Sequence, residues 1–188
     1  MIRVVVFIDN SNVFKLLDTL KGVNPRVWCK QYNPLILAEK LAGNRQLDKV
    51  LFYCTPPPQG LLRREPDKYS AQTSYYDKVS KLPKVEVRFG TLTSNDGSLY
   101  EKNLDTKLTA DVILMASNNQ YDHAIIVSND GDFVSAVEGA KQQGKKVEIG
   151  HFKMKVSMDL KKSADITRRL RPSYFTHIDD GFISPSDK

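Results

Sequence analysis

Cysteine is almost missing from this chain of 188 residues, which holds only Cys29 and Cys54. Two cysteines without paired-ligand spacing exclude a disulfide scaffold and a cysteine zinc site, and a reduced, cytoplasmic chain is the simplest expectation. Histidine is also scarce: His123 precedes a predicted strand, His151 and His177 lie in other segments, and none is expected to be catalytic. Long hydrophobic runs are lacking as well. The N-terminal apolar stretch is broken by Asp9, too early for a signal-peptide core or a membrane span, so no membrane partner is expected. There is no internal repeat and no low-complexity segment. What remains is a hydrophobic content of 40% and a charged content of 27%, ordinary for one globular domain with a real core. The charge is uneven, with 28 Lys and Arg against 22 Asp and Glu, a formal net charge of +6. Such an excess suits a partner that is a polyanion, and equally an evenly basic surface.

The most informative stretch is His123 to Gly144, HAIIVSNDGDFVSAVEGAKQQG. Ala124 to Val127 is a short run of small and β-branched residues, as in a strand buried on both faces. Ser128-Asn129-Asp130-Gly131-Asp132 breaks it with turn formers and two carboxylates, and Phe133, Val134, Val137 and Ala140 follow at helical spacing. The pattern predicts Asp130 and Asp132 at the carboxyl end of a strand, where open α/β sheets bind ligands. Carboxylates there also serve as helix caps. A second feature argues for more. Arg3 to Ile8 is another buried-strand run, and it ends in Asp9-Asn10-Ser11-Asn12. Carboxylates gathered from two strand ends repel unless a cation lies between them or one is protonated, and an all-oxygen cluster suits a hard cation.

Along the chain, strands are predicted at about 2–8, 49–55, 85–91, 124–127 and 146–150, with a last short strand at 166–170. Helices are predicted from Ser11 or Asn12 to about Leu20, after the Asn33-Pro34 cap until Gly43, over about 59–82, over 104–117, after Asp130 until Gly144, and over 157–164. Residues 21–32, with Pro25 and Trp28, read as loop, and Thr93 to Ser98 as a turn-rich insertion. Alternating strands and helices predict a doubly wound parallel α/β sheet. If the order is 3-2-1-4-5, the first and fourth strands are neighbours, and Asp9 faces Asp130 and Asp132 across the topological switch point.

Lys102-Asn-Leu-Asp105-Thr-Lys107-Leu-Thr-Ala-Asp111 brings two more carboxylates. Six helical residues separate them, roughly 9 Å along the axis and about 120° around it, so both cannot reach one ion from one face. Asp105, near the start of its helix, is the better direct ligand. Asp111 is left to a second ion, to an outer hydrogen-bonding role, or to a partly exposed helix position.

These residues carry a resemblance. Asp9-Asn-Ser-Asn12 after a first strand, Lys-x-x-Asp105 with Asp111, and Ser128-Asn-Asp130-Gly-Asp132-Phe133 resemble the NYN domain, in the branch similar to bacterial LabA-like proteins, a division of the PIN-like nuclease superfamily. The resemblance covers roughly residues 2–170, leaving 171–188 as a C-terminal tail, and it implies a three-layer, Rossmann-like parallel sheet in the order 3-2-1-4-5. It also implies Mg²⁺- or Mn²⁺-dependent phosphodiester hydrolysis, usually of RNA. The matching aspartates are Asp9, Asp105, Asp130 and Asp132, with Asn12 as the polar residue of the first motif. Asn129 stands where the family often has glycine.

On this expectation, an ion on Asp9, Asp105 and Asp130 would lower the pKa of a water and neutralise charge on the scissile phosphate. Asp132 would complete the set or orient a water, and Asn12 would hold the water or the phosphate. Ser128, Lys102 and Lys107 are assigned to substrate binding. Arg63, Arg64 and Lys68, with Tyr69, Tyr75 and Tyr76, would suit single-stranded RNA, or form a solvated helix with packed tyrosines. Lys141, Lys145 and Lys146 read as a solvated helix end. The expected partner is RNA, with a homo-oligomer left open. Another class of reading keeps the acidic pocket but makes the chain a catalytically silent RNA-binding or regulatory module. Phosphotransfer folds fit less well: the first strand lacks the Asp-x-Asp of a haloacid-type phosphatase, no phosphoacceptor Asp follows the third strand, and a Toprim-like site would need Glu where Asp9 stands.

Overall fold

The computed structural model describes residues 1–21, 31–95 and 98–175. Trp28, Cys29, His177 and the tail beyond residue 175 lie outside the described residues. Strand β1 (Arg3–Asp9) runs RVVVFID and is buried from Val4 onward. Helix α1 (Asn10–Lys21) follows directly, and α2 (Pro34–Ala42) leads into β2 (Gln46–Cys54). Asn33 caps α2, its side-chain oxygen accepting from the N–H groups of Leu35 and Ile36 at 3.0 and 3.3 Å. Gly43 ends that helix at φ 58°, a conformation that favours glycine.

Helices α3 (Gln59–Arg64) and α4 (Pro66–Ser80) occupy the stretch expected to be one helix. The break is at Pro66, which has no N–H to donate. It also pushes Glu65, at φ −144° and ψ 70°, out of helical geometry. Beyond β3 (Val85–Phe89), the expected turn-rich insertion is a hairpin of β4 (Thr91–Asn95) and β5 (Ser98–Lys102). Helix α5 (Leu104–Ser117), β6 (His123–Val127), α6 (Val134–Gln142), β7 (Lys146–His151), α7 (Met158–Ser163) and β8 (Ile166–Arg169) complete the chain. A single 3-10 turn, Gly131–Phe133, precedes α6.

The main sheet is six-stranded in the order β3-β2-β1-β6-β7-β8, and its pairings are all parallel. This is the expected 3-2-1-4-5 arrangement, with β8 added at the far edge. Alternation along β1 divides the core. Val4, Val6 and Ile8 face α1, α2 and α4, whereas Val5 and Phe7 face α5 and α6. The result is three layers, with the sheet in the middle. Phe175 is buried too, stacked on Phe152 at 5.4 Å and edge-on to Tyr32 at 5.3 Å. Among the described residues no helix is long and apolar enough to cross a membrane.

One charged group is deep in β7. Glu148 is 1% exposed and takes Arg45 at 3.0 Å and Arg168 at 2.5 Å, tying the turn after α2 and the edge strand β8 to β7. Removing one partner of such a buried group leaves the others uncompensated. Glu148→Ala is expected to lower unfolding stability by about 3 kcal/mol, read as a shift of the urea midpoint with unchanged slope. A loss within experimental error would show that Arg45 and Arg168 are solvated without it.

Candidate active site

Asp9 closes β1, in register with Tyr53 of β2, while Ile8 is in register with Val127 of β6. By alternation its side chain falls on the α5 face, with Val5 and Phe7. The residue is only 4% exposed. One carboxylate oxygen accepts the Asn12 N–H at 3.1 Å, and the other accepts the Ser128 hydroxyl at 2.9 Å. The chain then closes on itself. Asn12 Oδ1 accepts the Asn129 N–H at 3.1 Å, Ser128 Oγ accepts the Asp130 N–H at 3.1 Å, and Asp130 Oδ1 accepts the Asp132 N–H at 3.1 Å. Two of these five hydrogen bonds stitch the end of β1 to the turn after β6, at the switch point where the winding reverses, and the other three brace the two segments locally.

The electrostatics follow from this burial. Loss of water pushes the Asp9 carboxyl up to about 7; the Asn12 N–H and Ser128 hydroxyl work against that rise, while the negative charges of Asp105 and Asp130 add to it. Asp105 is exposed on the first turn of α5, whose N-terminus lies at this edge. Asp130 is half-buried, and Asp132 is exposed in the 3-10 turn. Asp9, Asp105 and Asp130 thus share one electrostatic neighbourhood, and Asp132 joins it through its backbone.

Other expected residues are placed differently. Asp111 accepts the Tyr53 hydroxyl at 2.7 Å and stands 3.9 Å from the Arg88 guanidinium, toward the β3 edge. Ser128 is fully buried, with its hydroxyl engaged on both sides, which makes it a link between Asp9 and Asp130 rather than a surface for substrate. Lys107 is exposed, and its ammonium donates to the Phe89 carbonyl at 2.8 Å. The side chain of Lys102 lies outside the described ones. Tyr75 and Tyr76 are 2% and 8% exposed and pack on Phe52, so they are core residues and not stacking platforms. Arg63, Arg64 and Lys68 are exposed on α3 and α4, with Lys68 paired to Glu65. Lys145 and Lys146 are at the opposite end of the sheet, bonded to Asn119 and Asp165.

Sequence reasoning missed the second wall of the site. A groove of about 510 Å³ runs beside Asp130, lined by Asn12, Lys15, Gly131, Lys155 and Ser157 among others. A Cβ on Gly131 would stand 2.9 Å from Ser157 Oγ, so a larger residue would displace the hydroxyl that caps α7. The loop from Phe152 to Ser157 forms that wall because it leaves the carboxyl end of β7, next to β6. The predicted strand order contained this signal.

The donor set here consists of oxygens only, as a hard divalent cation needs. Among the described residues, no three carboxylate, histidine or cysteine side chains are grouped to hold an ion. Mg²⁺ does not require such a cage, because it keeps several waters and takes one or two carboxylates together with substrate phosphate oxygens. A recessed Asp9 with Asp105 and Asp130 close by fits that mode of binding.

The profile of the NYN domain matches residues 3–170. Among solved structures, a protein of unknown function from Vibrio parahaemolyticus has a similar fold, with a TM-score of 0.67 at 20% identity over 93% of this chain and 95% of that one. No functionally curated protein matches the chain.

The raised Asp9 pKa has a direct consequence for stability. An acid whose pKa is higher in the folded state contributes stability below its ordinary value of 3.8, and that contribution is lost as the pH rises through about 7. Asp9→Asn is therefore expected to raise the melting temperature at pH 8, by the equivalent of roughly 2–4 kcal/mol, and to have little effect at pH 4. A mutant less stable than wild type at pH 8 would mean that the ionised carboxylate is well compensated.

Proposed function

The chain belongs to the NYN domain family, and we propose that it is a metal-dependent ribonuclease of the LabA-like branch, hydrolysing phosphodiester bonds in single-stranded RNA. The observation that carries the proposal is the recessed carboxylate of Asp9 at the switch point, with Asp105 and Asp130 near enough to perturb it. Nothing in the core requires three acids at one edge, and their mutual repulsion favours a cation among them.

In this reading Asp9, Asp105 and Asp130 would hold Mg²⁺ or Mn²⁺. When bound, the ion supplies an activated water and neutralises charge on the scissile phosphate. Asn12 orients the attacking water or a phosphate oxygen from the rim of the groove, its own carbonyl oxygen fixed by the Asn129 N–H. Ser128 is a positioning residue: it donates to Asp9 and so leaves that carboxylate one fixed orientation. Asp132 faces solvent, where it completes the acidic rim. Asp111 has no part in this proposal because Tyr53 and Arg88 occupy it. A reduced, cytoplasmic setting belongs to the same reading, supported by the scarcity of cysteine.

The test uses purified protein and a labelled single-stranded RNA. Cleavage is expected with Mn²⁺ and none with EDTA. Asp9→Asn should slow cleavage on the order of 10³-fold or more while remaining folded. A second readout is thermal: Mn²⁺ should raise the melting temperature of wild type and leave that of Asp9→Asn unchanged. Equal, metal-independent cleavage by both proteins would identify a contaminant. A Mn²⁺-dependent thermal shift without cleavage of any RNA would instead favour a catalytically silent module that keeps the acidic pocket.

A further inference from the structure

We infer that the groove between α1 and the Phe152–Ser157 loop is a phosphate subsite for the RNA strand, contacted by Lys155 and Lys15, with Asn129 positioning Lys155. This rests on the ribonuclease reading and adds where the substrate lies. The alternative places the strand on the α5 side, over Lys107.

The groove is continuous with the acidic edge, since Asn12 and Asp130 line it together with Lys15 and Lys155. Asn12 and Lys15 are three residues apart on α1 and so present one face. Across from them, Lys155 is exposed and has φ 53°, the left-handed region that side chains with a Cβ rarely adopt. Glycine would satisfy the backbone better at this position, yet the residue is a lysine.

Asn129 braces the loop on both sides of this residue. Its amide nitrogen donates to the carbonyls of Phe152, at 3.3 Å, and of Met154. Its side-chain oxygen accepts the Phe152 N–H at 2.8 Å, and its backbone carbonyl accepts the Ser157 N–H at 3.0 Å. The loop is thus clamped immediately before Lys155 and again two residues after it, and the clamp residue is itself the neighbour of Asp130. A single residue couples the acidic turn to the placement of one ammonium group. Strain maintained in this way at the border of a site is a reason to look for a ligand there. The groove combines two cations with amide and hydroxyl groups beside a carboxylate edge. It therefore suits a narrow anionic chain, one phosphate of which reaches the ion while a neighbouring one lies between Lys15 and Lys155. On the opposite side, the Lys107 ammonium is directed to the Phe89 carbonyl at the sheet edge.

The test measures binding of a single-stranded 2′-O-methyl phosphorothioate oligomer in Ca²⁺, across a salt series, so that no cleavage enters. Lys155→Gly removes the charge and also relieves the backbone, so its melting temperature should hold or rise. Its affinity at low salt should nevertheless fall several-fold, and the salt slope should drop by about 0.7. Lys155→Arg should behave as wild type, as should Lys146→Ala at the far end of the sheet. Asn129→Ala should weaken binding in wild type but add nothing in the Lys155→Gly background, as expected of a residue that acts through Lys155. If Lys155→Gly binds with unchanged affinity and slope while the wild type still cleaves with Mn²⁺, the subsite is wrong and the ribonuclease reading stands. A lowered slope for Lys107→Ala alone would place the strand on the α5 side and also overturn the subsite. If the wild type neither binds nor cleaves any single strand, both proposals fail together.

Discussion

A carboxylate withdrawn from water at the junction of two parallel strands is the constraint to which the rest of this edge responds. Asp9 cannot be ionised there without donors, because a buried charge without partners is among the most costly groups a fold can contain. The N–H of Asn12 and the hydroxyl of Ser128 are those donors. Their placement dictates the next layer. Ser128 must turn inward, so its own oxygen is available to the Asp130 N–H, and Asn129 is turned toward the neighbouring loop. The turn after β6 thus has two tasks divided between consecutive residues: one steadies the carboxylate, and the next steadies the opposite wall of the groove.

The distribution of ion pairs makes sense of a basic chain with an acidic site. At the amino ends of the strands, cations are locked onto carboxylates: Arg3 on Asp122, Arg45 on Glu148 and Lys146 on Asp165. Arg3 holds the Asp122 carboxyl down at about 2. Charge at that end is largely paired and serves the fold. At the carboxyl ends, Lys15 and Lys155 border a groove. Net charge alone carries no information about which end of the sheet a lysine occupies.

Much of the architecture was legible because the central strands are short apolar runs, buried on both faces and bounded by turn residues. Helix α5 was legible to the residue through its apolar spacing, and α2 through the Asn33-Pro34 cap and Gly43. One local signal lay inside the stretch expected to be a single helix: Pro66 separates α3 from α4. The carboxylates were legible as strand-end acids, but what holds each of them was not. That Tyr53 reaches Asp111, or that Ser128 is consumed by Asp9, depends on contacts across the sheet that no local pattern encodes. Lys155 was invisible for a related reason: the loop that carries it is bonded to a residue 26 positions earlier in the chain.

The bond from Ser128 to Asp9 spans 119 residues, and strand β1 lies between β2 and β6 in the sheet. During synthesis, Asp9 and its first donor, the Asn12 N–H, leave the ribosome long before the second donor, the Ser128 hydroxyl, exists. Non-local closure of this kind is the slow part of folding a parallel sheet. Until residue 130 has emerged, Asp9 lacks the Ser128 hydroxyl and the edge lacks its third acid, Asp130, so the partly made chain cannot assemble the acidic edge. The acidic edge is a property of the closed sheet, completed only by the second half of the polypeptide.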